Sequence, residues 1–333
     1  MAAVSDQLLV YAILGYALAM LAYAVEYAFG SRSVVARVAV RELVGAGGRT
    51  AAPGAPAPGA PAPVAPSAPP LAAPGLAENA RIAGFAGRGA LVLTAVGWLL
   101  HLAAMVTRGF AAHRVPWGNM YEFIMAVCFV GATAWLVLVT RRPVLRPLGL
   151  FVTLVLVILL GIDGMLLYTK VAPLVPALNS YWLKIHVTAA ITASGVFLVG
   201  FVAAALTLIR NGYDDGKTRF PYTLGARLPA ADSLERTTFR IHAFAFPVWT
   251  FAIICGAIWA EAAWGRYWGW DPKETWSFVA WVIYAGYLHA RATPSVRRPV
   301  ATWIAVAGWA AMMVNLFGIN LFIAGLHSYA GLN

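Results

Sequence analysis

Long apolar runs separated by short polar breaks dominate the chain. Eight of them approach the roughly 20 residues that an α-helix needs to cross a bilayer: about 8–29, 89–107, 119–140, 148–168, 182–209, 239–262, 275–291 and 299–323. The pattern predicts an all-α polytopic membrane protein with about eight transmembrane helices. The first run starts after Asp6, contains Glu26 and lacks a basic leader, so it reads as a retained helix rather than a cleaved signal peptide.

Charge orients these runs. The loops near 30–88, 141–147, 210–240 and 291–298 carry eighteen of the 24 Lys and Arg residues, and the opposite loops carry six. Basic loops face the cytoplasm, so both termini are expected on the outer face of a multi-pass protein in the cytoplasmic membrane. Only 11% of residues are charged and 61% are hydrophobic, against about 25% charged in soluble domains. That excludes an ordinary soluble enzyme and a nucleic-acid-binding domain, and it assigns the net charge of +11 to cytoplasmic loops. Residues 51–75 are almost all Ala, Pro and Gly. They predict an extended or disordered linker within 31–88, between a first helix (1–30) and a seven-helix block (89–333). Its deletion is expected to be mild. Cys128 and Cys255 both lie in apolar runs and form no CxxC, so they read as packing residues.

The densest chemistry lies in 259–281, WAEAAWGRYWGWDPKETWSFVAW, between the sixth and seventh spans. It holds six of the 13 Trp: Trp259, Trp264, Trp268, Trp270, Trp276 and Trp281. An interfacial aromatic belt is one reading. A belt spreads over many helix ends, however, whereas these residues crowd one loop (263–275) in which Gly265 and Gly269 permit tight turns. Such a platform suits a large planar apolar ligand, with Arg266 and Lys273 near enough to meet acidic groups. Asp271, Pro272 and Glu274 stand at N-cap, N1 and N3 of the seventh helix, a capping-box spacing. A rigid cap would also hold the platform in place. Asn119 and Glu122 repeat that spacing ahead of the third helix, where Trp117 and Tyr121 are candidates to wall the same site. Asp163, between Gly161 and Gly164, is a buried-acid candidate for pairing with Lys170 or Lys184.

The segment WGRYWGWDPKETW resembles the WWD signature of the haem-handling superfamily. FVAWVIYAGYLHAR and NLFGINLFIAGLHSY are similar to its CcsA (ResC) branch, and PWGNMYEF is similar to that branch's N-x-Y-E segment. The resemblance covers roughly 90–333. It implies a membrane subunit of the system II cytochrome c synthase, with haem b as bound substrate. It also implies a ResB-type membrane partner with a large outer domain, and apocytochrome c as acceptor. Trp264, Gly265, Trp268, Trp270, Asp271, Pro272 and Glu274 become cofactor-site residues on that basis.

Six histidines are available. His186 lies about one turn inside the outer end of the fifth helix, and His327 lies just past the outer end of the eighth. Both therefore stand at the level of the tryptophan loop, where two imidazoles can grip one iron from opposite faces of a porphyrin. The resemblance implies that these are the external haem ligands. His289 lies 14 residues past Thr275, about 21 Å deeper at 1.5 Å per residue, so one iron cannot bind all three. The resemblance makes His289 an inner haem ligand whose opposite ligand comes from the partner. His242, at similar depth, is an intrachain candidate for that place, against a plain interhelical hydrogen bond. His101 reads as structural and His113 as a solvated loop residue.

The first functional reading is haem delivery to the outer face for covalent attachment to apocytochrome CxxCH motifs. No residue reads as a nucleophile or general base, so any synthase activity rests on orientation and iron redox control. A haem or anion exporter without assembly activity is the alternative suggested by two histidine levels, although no inverted repeat is visible. A b-type electron carrier requires histidines paired at matched depth, which only His242 and His289 approximate.

Overall fold

The computed structural model describes residues 1–30, 74–173, 180–323 and 325–327. Its elements follow the apolar runs: α1 (Ala2–Phe29), α2 (Pro74–Ala112), α3 (Met120–Arg141), α4 (Gly149–Leu166), α5 (Tyr181–Asp214), α6 (Ala231–Trp264), α7 (Pro272–Ala292) and α8 (Arg298–Met313). The last helix continues through a π-helical turn, Val314–Gly318, and one α-turn, Ile319–Phe322. Short 3-10 segments, Pro143–Leu148 and Tyr222–Arg227, precede α4 and α6. Among the described residues there is no strand, so the protein is an all-α polytopic membrane protein. Seven of the helices are both long and apolar enough to cross a membrane. The eighth, α7, has 21 residues and so spans about 31 Å. It is more polar because it carries Lys273, Glu274, His289 and Arg291.

The sequence pattern places the second span at 89–107, but α2 begins at Pro74. Proline suits the first turn of a helix, and the Ala-, Leu- and Glu-containing stretch after it has high helix propensity. The linker residues 31–73 lie outside the described part of the chain.

Successive helices run antiparallel, so each polar break belongs to one of two ends. At the basic end, Arg146 pairs with Glu26 of α1, and Arg291 and Arg298 both reach Glu235, at 2.9 and 3.5 Å. At the loop end, Arg108 of α2 is wholly buried and binds Glu122 of α3 at 3.0 Å, Asp6 of α1 at 3.5 Å and the carbonyl of Thr169. Arg114 adds a second guanidinium to Glu122 at 2.6 Å. Breaking such a buried pair leaves an uncompensated charge and costs about 3–5 kcal/mol. The network therefore ties α1, α2, α3 and the end of α4 into one block.

The same network revises the sequence reading of Glu122. Asn119 does cap α3, accepting the Glu122 N–H at 2.8 Å. The Glu122 carboxylate, however, does not reach back to the cap backbone. It accepts from Arg108, Arg114 and the Gly118 N–H at 2.8 Å. Asp163 is also buried, but neither carboxylate oxygen has a hydrogen-bond partner, so it pairs with neither Lys170 nor Lys184. Cys128 and Cys255 are free and buried in the core.

Candidate ligand cleft at the tryptophan loop

The loop is built by its two flanking helix ends. Helix α6 stops at Trp264 because Gly265 adopts φ +70°, the left-handed C-cap conformation that lacks a penalty only for glycine. Helix α7 starts with a complete capping box. Asp271 accepts the Lys273 N–H at 3.2 Å, while Glu274 accepts the Asp271 and Gly269 N–H groups at 3.1 and 2.8 Å. The seven-residue turn between them is therefore fixed at both ends by the caps of its flanking helices. Arg266 closes it from above: a Cβ on Gly269 would fall 0.9 Å from the Arg266 Nη1.

Beneath this loop lies a cleft in two adjoining lobes, partly open to solvent. Phe123, His186, Trp259, Lys273, Leu316 and His327 line both lobes. Trp249, Trp264, Trp268 and Glu274 line the first, and Trp117 lines the second. Ser194, Ser277 and Asn315 add polar groups to the first lobe and Asn119 and Asn320 to the second; the rest of the lining is apolar.

His186 and His327 come together here. The His186 ring stacks on Trp259 at 6.4 Å and 12°, and His327 meets the same indole edge-on at 6.0 Å. His186 Nδ1 bonds to the Ala252 carbonyl at 2.7 Å, and a side chain at Gly256 would collide with the ring at 2.7 Å. His327 Nδ1 bonds to the Asp271 carboxylate at 2.8 Å. Each bond fixes its ring through Nδ1. Asp271 thus has two tasks. It caps α7, and through Oδ1 it also accepts the Leu326 N–H at 2.8 Å, so it fastens the segment that carries His327. Burial opposes ionisation of Asp271, but hydrogen bonds from His327, Leu326 and Lys273, with the His327 charge, outweigh it and lower the pKa from 3.8 to about 2.

The remaining sequence candidates divide. Trp264, Trp268 and Glu274 face the cleft. Gly265, Asp271 and Pro272 shape it from behind. Trp270 lines neither lobe; it is 65% exposed at φ +58°, packed edge-on against Trp268 and Phe278. Of the two cations, Lys273 lines the cleft and Arg266 does not. Tyr121 turns away from it to lie under Arg108 at 4.5 Å. Sequence reasoning passed over Trp249, Ser277, Met312, Met313 and Asn315, which line the first lobe from three helices. No local pattern marks them, apart from polar Asn315 inside an apolar span.

The deeper histidines do not meet. His242 is fully buried, bonded through Nδ1 to the Thr238 carbonyl at 2.8 Å and packed against Tyr287 at 4.9 Å, with Phe197 and Tyr284 at 5.6 and 5.5 Å. Two residues beyond Tyr287, the helix has turned about 200°, and His289 is exposed on the outside of the bundle. It shares that side with exposed Phe278 and Val282. An intrachain His242–His289 ligand pair is not formed. His101 is buried and contacts the Tyr16 hydroxyl at 3.4 Å, a packing role, and His113 is exposed.

Fold and site together define a class: a multi-pass helical membrane protein with a two-histidine, tryptophan-walled cleft at one end. Residues 117–327 match the family model described as cytochrome C assembly protein, and the chain belongs to that family. It is similar to the cytochrome c biogenesis protein CcsA of Guillardia theta, 31% identical over 75% of this chain and 87% of the relative. It is also similar to the CcsA protein of Parasynechococcus marenigrum, 31% identical over 72% and 85%. The chain is a CcsA-type protein of cytochrome c biogenesis.

Proposed function

We propose that the cleft holds haem b, with His186 and His327 as axial ligands, and presents it for covalent attachment to an apocytochrome c CxxCH segment. The observation that carries this reading is the convergence of two imidazoles on Trp259, each fixed through Nδ1, inside a largely apolar, tryptophan-walled cleft. The donor set fits: two histidines and no carboxylate aimed between them match the ligation of a haem iron. Among the described residues no group of three His, Cys, Asp or Glu forms a bare-metal site.

Bound haem supplies an iron centre and two vinyl groups to which cysteine thiols add, forming thioethers. The chain's own residues bind and orient. His186 is locked into α5 and α6, His327 is held by Asp271, and Trp264 and Trp268 exclude water from one side. The exposed His289 favours an inner haem position completed by a ligand from a ResB-type membrane subunit rather than by His242. In this reading the protein lies in the cytoplasmic membrane with the tryptophan loop outward, in keeping with the basic loops at the other end.

An absorption spectrum of the purified chain with its partner tests the reading. Wild type is expected to show a six-coordinate Soret and α band, altered in His186→Ala and in His327→Ala. No haem in wild type, or unchanged spectra in both variants, removes the outer ligand pair. The exporter reading predicts the same spectrum but no thioether product. The b-type carrier reading loses its pairing, because His242 and His289 face apart.

A further inference from the structure

One edge of the largely apolar cleft is polar: Lys273 and Ser277 of α7 meet Asn315 of the π-helical turn. We propose that this edge is a carboxylate-docking subsite, with Lys273 as its cation, and that it sets which edge of the planar ligand enters the cleft first. The proposal rests on the haem reading above and assigns the propionate side of that ligand.

Three observations carry it. First, Lys273 lines both lobes, and its ammonium donates to one acceptor, the Asn315 carbonyl at 3.3 Å. An ammonium has three donors, and among the described residues it makes no ion pair. The adjacent acids are occupied: Glu274 by the Gly269 and Asp271 N–H groups, and Asp271 by Leu326 and His327. A buried cation whose neighbouring acids are engaged by other donors is costly, and an anionic ligand lowers that cost. Second, the π-turn creates the acceptor. The Ile319 N–H, which would reach the Asn315 carbonyl in an α-helix, bonds instead to the Val314 carbonyl. Departures of this kind concentrate at functional sites. Third, Asn315 is 5% exposed and its Oδ1 has no hydrogen-bond partner. Its Nδ2 donates to Ser277 Oγ at 3.0 Å, and that hydroxyl donates to the Lys273 carbonyl at 2.7 Å. The Asn315 amide is thereby held by Ser277, and the Lys273 ammonium keeps donors for the ligand beyond the one given to the Asn315 carbonyl.

Arg266, the other cation of the loop, lies over Gly269 and does not line the cleft. Specificity for a carboxylate edge thus falls to Lys273. In a haem the two propionates occupy one edge and the vinyl groups lie away from it. Docking the propionates at Lys273 turns the vinyl-bearing edge away from α7, where incoming thiols need access.

The test is a spectroscopic titration of the full-length chain, in detergent or nanodiscs, with haem b and with haem dimethyl ester, whose carboxylates are blocked. Wild type is expected to bind haem b at least about tenfold more tightly than the ester, the scale of one charge-assisted contact. K273M is expected to bring the two affinities within about twofold while keeping wild-type affinity for the ester, and K273R to restore most of the ratio. Should K273M lose both compounds, K273Q is read by the same ratio. Equal affinities in wild type, or an unchanged ratio in the Lys273 variants, overturns the subsite while leaving the histidine ligands standing. Binding of neither compound by wild type removes the haem reading, and the subsite with it.

Discussion

The two ends of the bundle each contain a pair of histidines at matched depth, and only one pair meets. At the loop end, His186 and His327 arrive from helices far apart in sequence and both pack on Trp259. Toward the basic end, His242 is sealed among Phe197, Tyr284 and Tyr287, while His289 faces outward. Depth can be counted along a helix at 1.5 Å per residue, but the side a residue faces depends on how the helix is rotated in the bundle. The support is similar and the surroundings differ. His186 and His242 are each held through Nδ1 by a main-chain carbonyl and His327 by a carboxylate, but only the outer pair lines the cleft, whereas His242 is sealed in the core. An imidazole fixed at Nδ1 beside open space is prepared to ligate, whereas one packed on every side is a core residue.

That contrast can be broken from its strong side. Removing a hydrogen-bond partner that orients a metal ligand typically costs 10–100-fold in metal affinity, so removing the ligand itself, in His186→Ala or His327→Ala, is expected to cost more than about 100-fold in haem affinity. Each loss should be partly restored by added imidazole, and absorption titration reads both. The buried ion network that joins α1, α2 and α3 is the next largest lever. Glu122→Gln leaves Arg108 and Arg114 facing each other without their shared carboxylate, which is expected to cost about 3–5 kcal/mol of stability, visible as an earlier thermal transition in detergent.

Asp271→Asn is expected to weaken haem binding about 10–100-fold, because the carboxylate both orients His327 and raises its donor strength. Its pH dependence has a definite sign. The folded-state pKa is depressed to about 2 from 3.8, so the stabilisation is fully present above about pH 4. It is lost only as pH falls through about 2. Haem retention attributable to this contact should therefore be flat from neutral to mildly acidic conditions. A loss of the His327 signature already at pH 5–6 in wild type, absent in Asp271→Asn, would contradict the assignment. On the weak side of the comparison, His242→Phe is expected to leave the outer spectrum unchanged. His289→Ala should remove only a second haem signal that depends on the partner subunit. A His242→Phe variant that loses the outer spectrum but stays folded would mean that the two ends communicate. The smallest effect is expected from deleting 51–73, read as assembly activity in the membrane.

Much was legible before any fold was known. Hydrophobic run length located eight helices, because in lipid every backbone polar group must be paired within its own segment. The capping chemistry of Asn119, Asp271 and Glu274 is local and was read correctly from spacing. Harder were residues whose partners are distant. Glu122 fits the cap spacing but is claimed by two arginines, one of them from another helix. Trp270 belongs to the tryptophan cluster by sequence yet points away from the cleft. Lys273 and Arg266 are equivalent in the sequence, and only one lines the cleft.

The sequence alone determined that this is a helical membrane protein, where its loop chemistry lies and which histidines share a level, since each depends on composition, local caps and distance along a helix. Only the tertiary structure decided which histidines face one another, that Asp271 reaches across 56 residues to His327, and that Asn315 and Lys273 form a polar edge. Those facts depend on helix rotation and on packing between segments remote in the chain, which no local pattern records.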